Sequence, residues 1–117
     1  MTRIAVIDFE TTGISPAMGD RATEVAIVMM EGGRVVDRFQ SLMNAGVRIP
    51  SFITQLTGIT NAMVANAPPA AQVMAEAGRF VGEVPMVAHN AAFDRKFWVE
   101  ELARAGLDAP QPFACTV

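Results

Sequence analysis

The glycine pair Gly32-Gly33, placed between two apolar runs, constrains the fold of this chain more than any other feature. Ala22–Met30 (ATEVAIVMM) and Val35–Met43 are both rich in apolar and β-branched side chains. Gly-Gly supplies the positive φ angles of a two-residue hairpin turn, so the two runs are predicted to pair as antiparallel strands. Arg3–Phe9 (RIAVIDF) is a further apolar run and completes a predicted three-stranded meander.

The rest of the chain predicts helices around one more strand. Ser51–Leu56 suits a short helix closed by Gly58, and Pro69 suits the first turn of a second helix. Pro85–His89 indicates a short buried strand, followed by a final helix over Asn90–Gly106. A strand reached through helices is most simply parallel to the first strand, so we expect an α/β fold: an antiparallel meander of three strands, a parallel fourth and flanking helices.

Composition narrows the class of protein. With 117 residues the chain suits one domain, and 51% hydrophobic against 18% charged residues excludes a disordered tail or a coiled coil. No apolar run reaches the roughly 18 residues of a membrane span, and the single cysteine excludes an internal disulfide. We therefore expect a cytoplasmic protein with no membrane partner.

Two carboxylates mark the carboxyl end of the first predicted strand. Asp8 and Glu10 lie two residues apart, so both side chains share one face of the strand and Phe9 takes the other. Like charges side by side repel, and they persist more easily with a cation between them, for which oxygen ligands favour magnesium or manganese. A strand that runs into a solvated acidic loop explains these two residues equally well.

Asp94 falls on the apolar stripe of the last predicted helix. The stripe consists of Ala91, Asp94, Trp98, Leu102 and Ala105. The helix dipole explains an acid in the first turn, but a carboxylate on the buried face is costly unless it is neutralised. Because the helix follows a strand parallel to the first, Asp94 is expected near Asp8 and Glu10.

Three converging acids predict a site for two divalent cations. Two such ions, about 3.5–4 Å apart, activate a water and stabilise the leaving oxygen of a phosphodiester. The net charge of −3 becomes zero when three carboxylates are assigned to the metals, so metals and not lysines would attract the substrate. Apolar side chains of the uncharged segment 49–75, such as Leu56 and Ile59, could hold bases, although ordinary core packing is the better explanation of these two residues when they are taken alone.

Three short motifs resemble those of the DEDD 3′–5′ exonucleases. Residues 8–13 (DFETTG) resemble the first motif, D-x-E-T-T-G, and residues 89–94 (HNAAFD) resemble the second, H-N-x-x-F-D. Residues 56–60 (LTGIT) resemble the intervening L-x-G-I-T block, with Thr57 where many relatives have histidine. The resemblance spans residues 3 to 106, comes nearest to the epsilon (proofreading) subunits of bacterial DNA polymerase III, and implies a ribonuclease H-like fold.

The resemblance also implies a role for each matching residue. Asp8 would bridge two Mg²⁺ or Mn²⁺ ions, Glu10 would bind one of them near the terminal 3′-hydroxyl, and Asp94 would hold the second through water. The other implied contacts are hydrogen bonds from Thr11 and Thr12, packing of Leu56 and Ile59 against the last base, and bracing of the second motif by Asn90 and Phe93. The implied reaction is metal-dependent hydrolysis of nucleic acid from its 3′ end, with DNA proofreading as the implied role.

The family's third motif, which carries a histidine or tyrosine general base and a fourth carboxylate, has no counterpart here. The chain has no tyrosine, its one histidine (His89) belongs to the second motif, and Asp108 is too close to the last helix. Loss of a general base costs about 10²–10⁴ in rate. We expect residues 1–117 to be the N-terminal portion of a single exonuclease domain, truncated within a strand at Phe113–Val117, and to self-associate through uncovered core.

Two other functions stay open. One is an RNA-trimming exonuclease of the same superfamily, because contacts to the 2′-hydroxyl cannot be read from a sequence. The other is a non-catalytic module that binds nucleic acid or a polymerase. The expected partners are a single-stranded 3′ end, foremost of DNA, and, by resemblance alone, a DNA polymerase subunit.

Overall fold

A computed structural model describes residues 2–115, which form a five-stranded mixed sheet with helices. The strands are β1 (Arg3–Thr11), β2 (Ala22–Glu31), β3 (Arg34–Leu42), β4 (Met86–Ala88) and β5 (Phe113–Cys115). Their order across the sheet is β3-β2-β1-β4-β5. The β1–β2 and β2–β3 pairs are antiparallel, whereas β1–β4 and β4–β5 are parallel. This topology confirms the predicted meander with a parallel fourth strand. The strand expected at Phe113–Val117 is present as β5 over Phe113–Cys115, while Thr116 and Val117 lie outside the described residues.

The hairpin between β2 and β3 forms where the glycine pair predicts it. Gly32 and Gly33 have φ angles of 59° and 79°, a region that side chains rarely adopt. The turn brings Glu31 opposite Arg34 and Met30 opposite Val35, and an irregularity between Met30 and Met29 then shifts the register, so that Met29 lies opposite Asp37. The local signal in the sequence therefore predicts the hairpin but not the register of the rest of the β2–β3 ladder.

Within residues 2–115, four helices connect and cover the strands. They are α1 (Ser51–Thr57), α2 (Asn61–Ala65), α3 (Ala70–Val81) and α4 (Ala91–Arg104), and a short 3₁₀ turn spans Pro16–Met18. The prediction missed α2, whose first turn is capped by the Thr60 hydroxyl accepting the Met63 N–H. Pro69 is the N-cap residue of α3, one position before the first turn in which it was predicted. Gly58 ends α1 in the left-handed conformation, as predicted.

Helices α3 and α4 pack on one face of the sheet and enclose the main core. Ile7 and Ile27 from the strands meet Met74 of α3 and Trp98 of α4, and each is at most 2% exposed. The Trp98 Nε1–H donates to the Gln111 Oε1 at 3.0 Å, which ties the chain after α4 to the core. A smaller cluster of Ile49, Ile53, Ile59 and Val64 lies under α1 and α2.

The alternate side chains of the strands face away from this core. Ile4, Val6, Val28 and Met30 are half-buried and lie outside the set of apolar residues that packs against α3 and α4. Val6 and Val28 are direct partners in the β1–β2 ladder. This second sheet face is therefore an apolar strip that the described helices do not cover. Separately, none of the helices within residues 2–115 combines the length and apolar character needed to cross a bilayer.

Candidate active site

The carboxyl end of β1 presents the two acids of the first motif beside a β-bulge. Glu10 lies opposite Glu24, but Thr11 lies opposite Ala22, so Thr23 has no partner residue in the ladder. The Thr23 hydroxyl donates to the Glu10 carbonyl oxygen at 3.0 Å. The bulged residue thus belongs to β2, opposite the end of β1 that carries Glu10, and bulges of this kind bend and twist a strand locally.

Asp94 enters this strand end from the first turn of α4. Its side chain is only 3% exposed, and Oδ1 accepts the Phe9 N–H at 3.1 Å. Burial raises the pKa of Asp94 to about 6, against the lowering effect of the Phe9 N–H, and the charges of Asp8 and Glu10 raise it further. The structure thus brings Asp94 next to both acids of β1, as its position on the apolar stripe predicted.

Glu10 also has a raised pKa at this strand end. Burial raises its pKa first, and the neighbouring charges of Asp8 and Glu24 raise it further. Glu24 faces Glu10 across the β1–β2 ladder and is itself an acceptor for the Gln40 Nε2–H. Like charges directly opposite each other destabilise a sheet, so the fold keeps this arrangement at a cost.

The three carboxylates suit divalent cations in their chemistry. The ion pairs among residues 2–115 are Arg3–Glu31 and Arg21–Glu101, and neither involves Asp8, Glu10 or Asp94. Anionic oxygens without a basic partner are the ligands that Mg²⁺ and Mn²⁺ prefer.

The three carboxylates do not form a complete metal site in this structure. Among the described residues no three Asp, Glu, His or Cys side chains converge closely enough to hold one metal ion. Asp94 is anchored to Phe9, whereas the Asp8 side chain is exposed, so the three acids have the chemistry of metal ligands while their spacing would have to close around an ion.

A groove of about 200 Å³ lies beside the acids. Its walls include Glu10, Ile14, Leu56 and Phe93. Ile14 and Leu56 are 77% and 81% exposed, so their apolar surfaces are available to a ligand. Phe93 is held from behind by Phe97, at 5.0 Å between ring centroids.

Ile59 does not reach this groove. It is 5% exposed and packs in the smaller core cluster with Ile49 and Ile53. The two residues expected to contact the last base therefore lie in different places. Leu56 lines the groove, whereas Ile59 is an ordinary core residue, which was the alternative explanation for it.

The two threonines of the first motif are buried and internally bonded. The Thr11 hydroxyl donates to the Gly13 carbonyl at 2.6 Å, and the Thr12 hydroxyl donates to Asp20 Oδ1 at 3.1 Å. Thr11 lines the groove, but both hydroxyl protons already have acceptors within the loop. Their direct effect is to fix the loop that follows Glu10.

Asn90 and Phe93 connect within the second motif. The Asn90 side chain accepts the Phe93 N–H at 3.4 Å and caps α4. This cap starts the helix one turn before Asp94. The predicted bracing role thus has a geometric basis in the capping bond.

Sequence reasoning missed two parts of the site's surroundings. A side chain on Gly13 would overlap the Asp20 carboxylate, which itself accepts the Ser15 N–H. Glu101 is 2% exposed and paired with Arg21. Glu101 lies seven residues after Asp94, on the same side of α4, and this spacing was a signal in the sequence.

Comparisons with known proteins identify the family of the chain. A family model described as exonuclease (RNase_T) matches residues 5–117. The chain therefore belongs to the RNase_T exonuclease family, and the motif-based resemblance is confirmed. It is 44% identical over 108 residues to the 3′-5′ exonuclease DinG of Bacillus subtilis, and 39% identical over 112 residues to a PolC-type DNA polymerase III of Clostridium perfringens.

Solved structures confirm the ribonuclease H-like fold. A product-bound exonuclease I superposes with a TM-score of 0.85 at 17% identity, over 98% of this chain and 30% of that one. A metal-free complex of Escherichia coli exonuclease I with single-stranded DNA gives 0.86 at 16% identity, over 98% and 28%. The match to DinG spans 92% of this chain but 12% of the length of DinG, and the match to the PolC-type polymerase spans 96% of this chain but 8% of that polymerase.

Proposed function

We propose that this chain binds divalent metal ions and a nucleic-acid 3′ end as part of a 3′–5′ exonuclease acting on single-stranded DNA. The observation that carries the proposal is the meeting of Asp8, Glu10 and buried Asp94 at one strand end, without a basic partner among residues 2–115. The adjoining apolar groove supplies a place for the last base.

Asp8, Glu10 and Asp94 would hold the metals. When bound, such ions activate a water and stabilise the leaving oxygen of a phosphodiester. The chain's own residues would orient the strand: Leu56 and Phe93 would contact the terminal base, and the fixed Thr11-containing loop would form the groove floor. Placing a single-stranded end this way relies on apolar contact with a base face, which tolerates any sequence.

The general base is proposed to come from another segment of the same exonuclease domain. The 117 residues contain no tyrosine and one histidine, His89, which precedes α4. Residues 1–117 would accordingly be the N-terminal portion of a single domain that acquires its base and a fourth carboxylate elsewhere. A functional test of this chain is therefore better made on binding than on turnover.

The proposed substrate is DNA, and the proposed location is the cytoplasm. The support is that the relatives named above include bacterial polymerase III proteins, and that an exonuclease I of the same fold is complexed with single-stranded DNA. Association with a DNA polymerase subunit is proposed on the same ground. Self-association would use the apolar sheet face of Ile4, Val6, Val28 and Met30.

The metal part of the proposal is tested by titrating Mn²⁺ into the chain and following the free ion by electron paramagnetic resonance. Asp8→Ala/Glu10→Ala is expected to weaken binding roughly tenfold or more, since it removes two ligands. The matched control is Glu76→Ala/Glu83→Ala, which removes two exposed charges on and after α3. Equal Mn²⁺ affinity in both variants would overturn the metal assignment.

The substrate part is tested by fluorescence anisotropy with labelled single-stranded oligonucleotides in Mn²⁺. We expect tighter binding to an end bearing a 3′-hydroxyl than to one bearing a 3′-phosphate, and tighter binding to DNA than to RNA of the same sequence. Indifference to the end group would favour the non-catalytic binding module. A preference for RNA would favour the RNA-trimming exonuclease.

A further inference from the structure

Helix α4 carries two buried carboxylates, and each of them accepts a hydrogen bond from a backbone N–H of the sheet. Asp94 and Glu101 are 3% and 2% exposed and lie seven residues apart, about 10 Å along the helix axis. Asp94 accepts the N–H of Phe9 in β1, and Glu101 Oε2 accepts the N–H of Ala22 in β2 at 2.9 Å. The helix is therefore attached to the sheet at two points of fixed separation.

The second attachment is reinforced by Arg21. Its Nη2 donates to Glu101 Oε1 at 2.8 Å and its Nε to Oε2 at 3.0 Å, a two-pronged pair between largely buried side chains. The remaining amino group of Arg21 donates to the Ala45 carbonyl at 3.3 Å. Such paired geometry constrains the direction of the helix more than a single bond would.

The backbone of Arg21 links this pair to the loop after Glu10. The Arg21 N–H donates to the Thr12 hydroxyl at 3.1 Å, and the Arg21 carbonyl accepts the Thr12 N–H at 2.9 Å. Thr12 in turn donates to Asp20. One residue thus connects α4, which carries Asp94, with the strand end that carries Glu10.

We propose that Glu101 is a positioning residue of the exonuclease site, acting through Arg21. It fixes α4 along its axis, so that Asp94 stays bonded to the Phe9 N–H and beside Asp8. The proposal rests on the proposed function, because its benefit is the placement of a ligand oxygen, for which tolerances are about 0.2 Å. Without this attachment, the bond from the Phe9 N–H would be the one remaining hydrogen bond between the two buried carboxylates of α4 and the sheet, and core packing would have to hold the helix along its axis.

The test compares two variants that differ in how much of the attachment they keep. Arg21→Met/Glu101→Leu removes both charges at similar volume, and it leaves the buried Ala22 N–H without its acceptor, which lowers stability. Glu101→Gln keeps an acceptor for the Ala22 N–H. Glu31→Gln, which breaks the exposed pair with Arg3, is the control.

The first measurement needs no metal. Amide hydrogen exchange at Phe9 is expected to become roughly tenfold faster than at the core amide of Ile27 in the double variant, and to change little in Glu101→Gln. A purely structural role would accelerate both amides together. Unchanged Phe9 exchange relative to Ile27 would overturn the proposal.

The second measurement is Mn²⁺ affinity. We expect a loss of about tenfold in the double variant, less than about threefold in Glu101→Gln and none in Glu31→Gln. If the double variant does not fold, Arg21→Met serves in both measurements, because it removes every side-chain bond of Arg21 to Glu101 and Ala45 while Glu101 keeps the Ala22 N–H. Absence of Mn²⁺ binding by the wild-type chain would contradict the proposed function, and Phe9 exchange would still decide the role of Glu101.

Discussion

Asp94 is the residue of the site whose ionised form is most disfavoured by burial and by neighbouring charges. Its pKa of about 6 lies above the ordinary 3.8, so the folded chain binds a proton between these values that the unfolded chain does not. The metal-free protein should therefore lose stability as the pH rises from about 4 to about 6, and remain less stable above. A carboxylate kept at such a cost is typical of functional positions.

Asp94→Asn should consequently stabilise the metal-free chain at pH 8, by roughly 1–3 kcal/mol, because the amide oxygen still accepts the Phe9 N–H without a buried charge. At pH 4.5, where wild-type Asp94 is protonated, the gain should shrink by at least half. Urea unfolding in chelator at the two pH values measures this, with the exposed Asp108→Asn as control. A gain of equal size at both pH values would be inconsistent with the raised pKa.

Two glycines should respond to alanine with opposite signs. Gly13→Ala places a methyl group against the Asp20 carboxylate, which is held by Thr12 and Ser15 and cannot move away cheaply. We expect a loss of about 1–3 kcal/mol in the free energy of unfolding.

Gly78 in α3 is the matched position. A Cβ there meets only the Leu102 Cδ2, at 3.5 Å, and alanine favours the helix by about 0.5–1 kcal/mol. Thermal or urea unfolding of both variants makes the comparison, and a stable Gly13→Ala protein would refute the close approach in this loop.

At the level of elements, α1 and the segment after it carry one apolar side chain that is exposed at the groove and one that is buried in the core. Leu56 is 81% exposed at the groove, and Ile59 is 5% exposed in the smaller core cluster. Leu56→Ala should leave stability within about 0.5 kcal/mol and weaken binding of a single-stranded oligonucleotide by about tenfold. Ile59→Val should cost about 0.5–1.5 kcal/mol of stability and leave that affinity unchanged.

Urea unfolding and anisotropy on the same two variants separate these effects. If Leu56→Ala binds the oligonucleotide as well as the wild type does, the groove is not where the base lies. The reverse pattern, with affinity lost in Ile59→Val, would assign the base contact to the second core cluster.

Most of what the sequence could predict rests on local signals, and what it could not predict rests on an unusual helix cap and on a long-range contact. The glycine hairpin and the buried face of Asp94 follow from spacing and turn chemistry within single elements, and the direction of β4 follows from the helices that connect it to the first strand. Helix α2 escaped because its cap pairs Thr60 with Met63, whereas the usual partner three residues on is Glu or Gln. Arg21 and Glu101 are 80 residues apart, so only the folded chain reveals that they pair.

On the scale of the whole molecule, the two faces of the sheet are unequal. The face of Ile7 and Ile27 is enclosed by α3 and α4, whereas the face of Val6 and Val28 is an apolar strip that these helices leave uncovered. Contiguous apolar surface of this kind favours association in water. The asymmetry arises from the same strand alternation that directs Asp8 and Glu10 away from the core.

The chain should therefore self-associate through this strip, with a sedimentation coefficient that rises with protein concentration. Val28→Lys puts a charge beside Val6 in the centre of the strip and should abolish the rise, because a lysine buried between two copies would be unpaired. Val47→Lys, at a 39% exposed position outside the sheet, introduces the same charge and should leave association unchanged. A concentration-independent monomer in the wild type, or equal association of both lysine variants, would exclude this face as the interface.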